Sequence, residues 1–112
     1  MRDEIPVAGI AEWLRLLLGR RIGFKVVGDS MVPGLLEGER ILTDPKAPLS
    51  QGDVVLVRHP YKTGVRIIKR LSSIEPDGRL FLEGDNPGAS SDSRTFGLIS
   101  RGDVIGKVIS KI

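Results

Sequence analysis

Two residues of this 112-residue chain have types and settings suited to nucleophilic catalysis, Ser30 and Lys69. If 65–71 is a strand, Val65, Ile67, Lys69 and Leu71 share one face, and Arg66, Ile68 and Arg70 the other. The chain thus aims one amine into an apolar row and sends its arginines to the opposite side. An ammonium in apolar surroundings gives up its proton readily, because desolvation disfavours the charged form. A neutral amine near neutral pH is a general base. Ser30 lies in Gly28-Asp29-Ser30-Met31-Val32-Pro33, where a glycine turn follows an apolar strand and Met31 and Pro33 restrict the loop. A serine nucleophile needs an exposed Oγ, a base, and a backbone N–H that can face an oxyanion. Together the two residues point to a Ser–Lys hydrolase, a variant of the Ser-His-Asp arrangement. Each also has an ordinary explanation. A serine after Gly-Asp is common turn chemistry. The lysine can snorkel to water or pair with Glu83 or Asp85.

A third polar segment, 84–94, follows the apolar Leu80-Phe81-Leu82. It is rich in turn formers and reads first as a solvated hairpin connection. It also holds many donors and acceptors for a connector. A serine hydroxyl here could orient a neutral Lys69, and Asp92 and Arg94 could pair to fix the loop. His59, the sole histidine, precedes Pro60 at a strand end and is a weaker candidate base. With one histidine and no cysteine there is no ligand cluster for a metal, and no phosphate-binding glycine loop occurs, so neither metal nor cofactor is expected. Arg101-Gly102-Asp103 reads as a turn entering the last strand.

These residues must be positioned by a mostly β framework. Candidate strands are 22–27, 39–43, 53–58, 64–71, 79–83 and 103–112, separated by Asp44-Pro45, Gly52-Asp53, Pro76-Asp77-Gly78 and Gly102-Asp103. Val54-Val55-Leu56-Val57 is a continuous apolar run, expected of a strand covered on both faces. Short strands at this spacing predict a single mainly β domain, a curled antiparallel sheet or partly open small barrel. The one good helix spans 9–19, with Ile10, Trp13, Leu14 and Leu17 in an apolar stripe and Gly19 as its stop. The stripe is expected to pack on the core; contact with a membrane or partner is the alternative. Residues 1–21 form an N-terminal helical segment and 22–112 the catalytic domain on this division.

Composition narrows the classes. Hydrophobic residues are 40% and charged residues 28%, ordinary for a globular domain, and the length fits one core. A net charge of +3 with scattered basic residues and only 4% aromatics does not suit nucleic-acid binding. The most apolar stretch, 7–18, contains Glu12 and Arg15 and is too short to span a bilayer. A soluble, cytoplasmic protein is expected, with peripheral membrane contact through the helix possible.

In this order the three segments resemble the boxes of the type I signal peptidase family, the Ser–Lys peptidases. The first is Ser-Met-x-Pro, here Ser30-Met31-Val32-Pro33. The second is Lys69-Arg70. The third, long and specific, is Gly84-Asp85-Asn86, Ser90 and Asp92-Ser93-Arg94. The resemblance implies Ser30 as nucleophile, Lys69 as base, Ser90 as the group orienting Lys69, and the Ser30 N–H as an oxyanion donor. It implies that Arg70, Asp85, Asp92 and Arg94 hold the site loops by ion pairs. The implied partner is a polypeptide precursor, bound extended beside the strand leading to Ser30, with small side chains before the scissile bond. Gly28 stands where some members have a second serine, and Gly34 where many have threonine. The wording Ser30-Met31-Val32-Pro33-Gly34-Leu35 is similar to that of nickel-type superoxide dismutase maturation proteases, which implies removal of a short leader.

Two other readings compete. Self-cleaving repressor and mutagenesis proteins also carry Gly-Asp-Ser-Met and a lysine, and Ala8-Gly9 offers a bond for self-cleavage. A non-catalytic β binding module would make the serine and lysine incidental.

Overall fold

The apolar run at 54–57 becomes the interior of a six-stranded sheet. The computed structural model describes residues 5–112. Strands β1 (Ile22–Lys25), β2 (Arg40–Asp44), β3 (Val54–Arg58), β4 (Arg66–Ile74), β5 (Leu80–Glu83) and β6 (Val104–Lys111) are antiparallel in the order β1-β2-β6-β3-β4-β5. All four residues 54–57 are buried, as a strand flanked on both edges and covered on both faces requires. Val54 and Leu56 pack with Val26, Met31, Leu35, Ile41 and Ile68 on one face. Val55 and Val57 pack with Leu71, Leu80, Leu82 and Ile99 on the other.

The sheet curls, and the curl makes the site. Three strands separate β1 from β4, yet the Arg66 guanidinium sits 4.9 Å from the centroid of the Phe24 ring. Register shifts at Leu42/Thr43, Leu56/Val57 and Leu71/Ser73 mark irregularities of the kind that bend strands and increase twist. The expected curled antiparallel sheet is therefore the observed fold. β4 begins at Arg66 and runs three residues past the expected end at 71, so Val65 lies outside the strand and is 41% exposed.

Two expectations need correction. Residues 84–94 are not a plain solvated connection: they hold a short 3₁₀ turn at Pro87–Ala89 and lead into the helix α2 (Ser93–Phe96), while Arg101–Asp103 forms the turn expected before β6. Gly84, Asp92 and Ser93 are buried there, because the segment folds back under the end of β5. The N-terminal helix α1 (Ile10–Leu17) does not pack its stripe on the core. Ile10 is 82%, Leu14 55% and Leu17 80% exposed, and Trp13 also faces outward. The physical reason is that both sheet faces already carry their own apolar layers. The helix is instead oriented by polar ties. Glu12 accepts from Arg21 at 2.9 Å and Arg15 at 2.6 Å, and the preceding residues pair with β6, Ala8 N–H to the Lys111 carbonyl and Lys111 N–H to the Pro6 carbonyl.

Candidate active site

Lys69 is set on β4 opposite Val55 of β3, with Ile67 and Leu71 on the same face, and is 4% exposed. The alternation read from the sequence is thus the one observed, and the amine does not snorkel. Nor does it pair with Glu83 or Asp85: Glu83 accepts from Ser72 and lies beside Arg94, while Asp85 is held by Arg70. Its partner is Ser90, whose Oγ lies 3.1 Å from Lys69 Nζ. Ser90 Oγ is in turn 2.8 Å from Asp92 Oδ2.

The direction of this chain of hydrogen bonds follows from proton counting. A serine hydroxyl has one proton. Asp92 can only accept, so that proton goes to the carboxylate, and Ser90 can only accept from Lys69. A neutral Lys69 then spends an N–H on Ser90 and keeps its lone pair for another proton. Burial, the largest influence, lowers the Lys69 pKa from its ordinary value; the Asp92 carboxylate partly opposes this and the Arg94 guanidinium reinforces it. Burial alone would raise the Asp92 pKa, but hydrogen bonds from the Arg94 guanidinium, Gly84 N–H, Ser90 and Arg94 N–H hold it well below the usual carboxylate range.

Ser30 comes from the turn after β1 and is half-buried, with Met31 buried beneath it in the first apolar layer and Pro33, after a cis bond, at the surface. Ser30 and Lys69 line one cleft of about 280 Å³, walled by 24–31 on one side and 65–69 on the other. Among the described residues, neither the hydroxyl nor the N–H of Ser30 makes a hydrogen bond, and the Lys69 amine bonds Ser90 rather than Ser30. Gly28 has φ +79, a conformation that strains any side chain. An added Cβ would meet no neighbour within 4 Å, so the backbone conformation alone disfavours a side chain at 28.

Asn86 is the residue whose importance was not legible. Its N–H donates to the Ser30 carbonyl at 2.8 Å and its side-chain amide to the Asp29 carbonyl at 3.0 Å. Nothing local in the sequence pairs 86 with 30; only its place inside the Gly84-Asp85-Asn86 run marked it. Gly84 shows the same closeness. A Cβ there would stand 2.1 Å from Ser90 Oγ and 2.8 Å from the Ser30 carbonyl oxygen. The expected ion pairs are present. Arg70 holds Asp85 through two bonds of 2.9 Å and reaches the Gly52 carbonyl, and Arg94 grips Asp92. Ser93 Oγ accepts from Leu82 N–H, fixing the same segment to β5. His59 lines the cleft, but its Nδ1 accepts from the N–H groups of Tyr61 and Lys62, and its ring packs edge-on to Phe96. It caps a turn.

Comparison with known proteins bears on the same residues. A profile of the family described as Peptidase S24-like matches residues 13–109, nearly the whole chain. The chain belongs to this family. Relatives of this Peptidase S24-like chain are inner membrane protease subunits and a signal peptidase by name. Mitochondrial inner membrane protease subunit 2 of Danio rerio is 37% identical over 75 residues, covering 53% of this chain and 41% of the relative. Mitochondrial ATP-independent inner membrane protease subunit 1b of Arabidopsis thaliana is 30% identical over 112 residues, covering 76% of this chain and 66% of the relative. Probable signal peptidase I-1 of Synechocystis sp. is 23% identical across 97% of this chain and 81% of its own length. The chain thus spans between about two fifths and two thirds of these two mitochondrial relatives. The family is that of the signal peptidase I-like serine peptidases. Among the described residues, no helix is long and apolar enough to cross a membrane.

Proposed function

We propose that this chain is an endopeptidase that removes an N-terminal leader from a precursor polypeptide, with Ser30 as nucleophile and Lys69 as general base. The observation that carries this reading is the Lys69–Ser90–Asp92 chain opening onto the cleft that Ser30 also lines. The Ser30 Oγ attacks the scissile carbonyl carbon while its proton passes to Lys69 Nζ. The carbonyl oxygen becomes an oxyanion facing the Ser30 N–H. As the intermediate collapses, the C–N bond breaks and the leaving amine takes the proton from the Lys69 ammonium. Water then attacks the acyl-enzyme, again losing its proton to Lys69, and Ser30 is released with that proton. Arg70, Asp85, Arg94 and Asn86 hold the loops, and the substrate runs extended between 24–29 and β4 as an added strand.

The test is cleavage of candidate precursors by wild type and Ser30→Ala, read by mass spectrometry. The similarity at 30–35 makes a nickel-type superoxide dismutase precursor the first to assay. Loss of one defined leader with wild type and none with Ser30→Ala is expected. Cleavage by both proteins sinks the assignment. A fragment beginning at Gly9 from the protein alone would favour self-cleavage instead; Ala8 is hydrogen-bonded to β6 and outside the cleft lining.

The exposed stripe of α1 favours one addition, that this face rests on a membrane surface. Ile10, Trp13, Leu14, Leu17 and Leu18 are exposed together with Arg15 and Arg20 beside them. Sedimentation with vesicles containing anionic lipid should be lost in Trp13→Ser/Leu17→Ser. Equal sedimentation of both proteins would remove the idea.

A further inference from the structure

Ser90 is extended, with φ −120 and ψ 126. Successive side chains of an extended segment point to opposite sides. Ser90 accordingly turns inward to Lys69 and Asp92, while Ala89 and Ser91 line the cleft that Ser30 also lines. Ser91 is exposed, between half-buried Ser90 and buried Asp92. Among the described residues its hydroxyl, its N–H and its carbonyl make no hydrogen bond. On an ordinary surface such a serine is simply solvated. Here the residues on either side are tied down, Ser90 by Lys69 and Asp92, and Asp92 by Arg94 and the Gly84 N–H. The segment also runs close to the candidate nucleophile, since one atom added to Gly84 would touch both Ser90 Oγ and the Ser30 carbonyl oxygen.

We infer that Ser91 binds the substrate main chain beside the scissile bond, its hydroxyl hydrogen-bonding a peptide group there. The inference rests on the peptidase reading above. An extended peptide needs partners for its N–H and C=O groups wherever the cleft shuts out water. The wall at 24–29 can supply them in strand fashion only as far as Gly28, where φ +79 turns the backbone into the loop of Ser30. Peptide groups that reach past this turn lose that wall, whichever way the substrate runs. Ser91 lines the same cleft and offers both a donor and an acceptor. Because its neighbours are already fixed, little ordering is left to be done when substrate arrives. Its short side chain, like that of Ala89, leaves room for the small residues expected before the cut.

The bond that wild type cuts in the precursor assay supplies the probe, a synthetic peptide spanning it. In Ser91→Ala the kcat/KM for this peptide should fall about five-fold, the worth of one neutral hydrogen bond, and mostly through KM. The rising limb of its pH profile should stay where wild type has it, because the Lys69–Ser90–Asp92 chain is untouched. Ester analogues then locate the contact. Each peptide bond flanking the cut, but not the cut bond itself, is replaced in turn by an ester, which removes the N–H and weakens the carbonyl as an acceptor. One of these replacements should cost wild type about five-fold and Ser91→Ala almost nothing. Kinetics of Ser91→Ala equal to those of wild type overturn the contact. So do ester losses that match in the two proteins at every position. A pH limb that moves in Ser91→Ala also overturns it, by placing Ser91 behind Lys69 rather than on the substrate. Each of these results leaves Ser30 as the nucleophile. Cleavage that survives Ser30→Ala strikes the peptidase assignment itself, and this contact with it.

Discussion

The backbone N–H of Asn86 meets the carbonyl of Ser30 at 2.8 Å, so the candidate nucleophile hangs from the segment that also carries the partner of Lys69. Ser30 and Ser90 are thereby kept in step: a shift of one segment moves both ends of the proposed proton path. Asn86→Ala removes only the side-chain bond to Asp29 and keeps the backbone bond. A stability loss of about 1 kcal/mol is expected from that one bond. The kcat should fall more than KM rises, since geometry rather than substrate contact is disturbed. Denaturant melts and steady-state kinetics on the same samples decide this.

Lys69→Met keeps the bulk and removes the amine. Turnover should fall by at least about 10,000-fold, while stability should hold or rise, because a buried amine costs desolvation that a methionine does not. Ser90 stays satisfied through Asp92. Activity near wild type in a folded Lys69→Met would remove the lysine from the chemistry.

The pH profile carries a sign. The Lys69 pKa is lowered, so the active, neutral amine is populated below the pH an ordinary lysine would need, and the rate should rise through that depressed value. Arg94 contributes to the lowering. In Arg94→Gln the rising limb of kcat/KM should therefore move to higher pH. A limb that stays in place or moves to lower pH contradicts the assignment of that limb to Lys69.

Gly84→Ala tests how tightly the segments approach. The added Cβ would meet Ser90 Oγ at 2.1 Å and the Ser30 carbonyl oxygen at 2.8 Å, so one of these must move. A misplacement of about 1 Å can cost about 100-fold in rate. A loss of that size is expected in kcat. Unchanged kinetics would show that the segments yield freely.

Acid stability should report Asp92. Its carboxyl is held below the ordinary range in the folded state. Such a group contributes stability above its unfolded pKa and loses it as pH falls through the folded one. Urea midpoints of wild type should drop on acidification, and Asp92→Asn should start lower and vary less over the same range.

Ser30, Lys69 and the run from Gly84 to Arg94 were legible because their signals are local. Two-residue alternation placed Lys69 among apolar neighbours, and the run of apolar residues at 54–57 declared a strand covered on both sides. The same locality hid the rest. The Asn86–Ser30 bond joins residues 56 positions apart, and it exists because the sheet bends until β1 approaches β4. That bend accumulates from small irregularities in several strands, and no single segment encodes it. The stripe of α1 failed for a related reason. Its periodicity establishes an amphipathic helix, but whether the apolar side meets protein depends on whether a bare face remains for it, and both faces of this sheet were already covered by residues elsewhere in the chain.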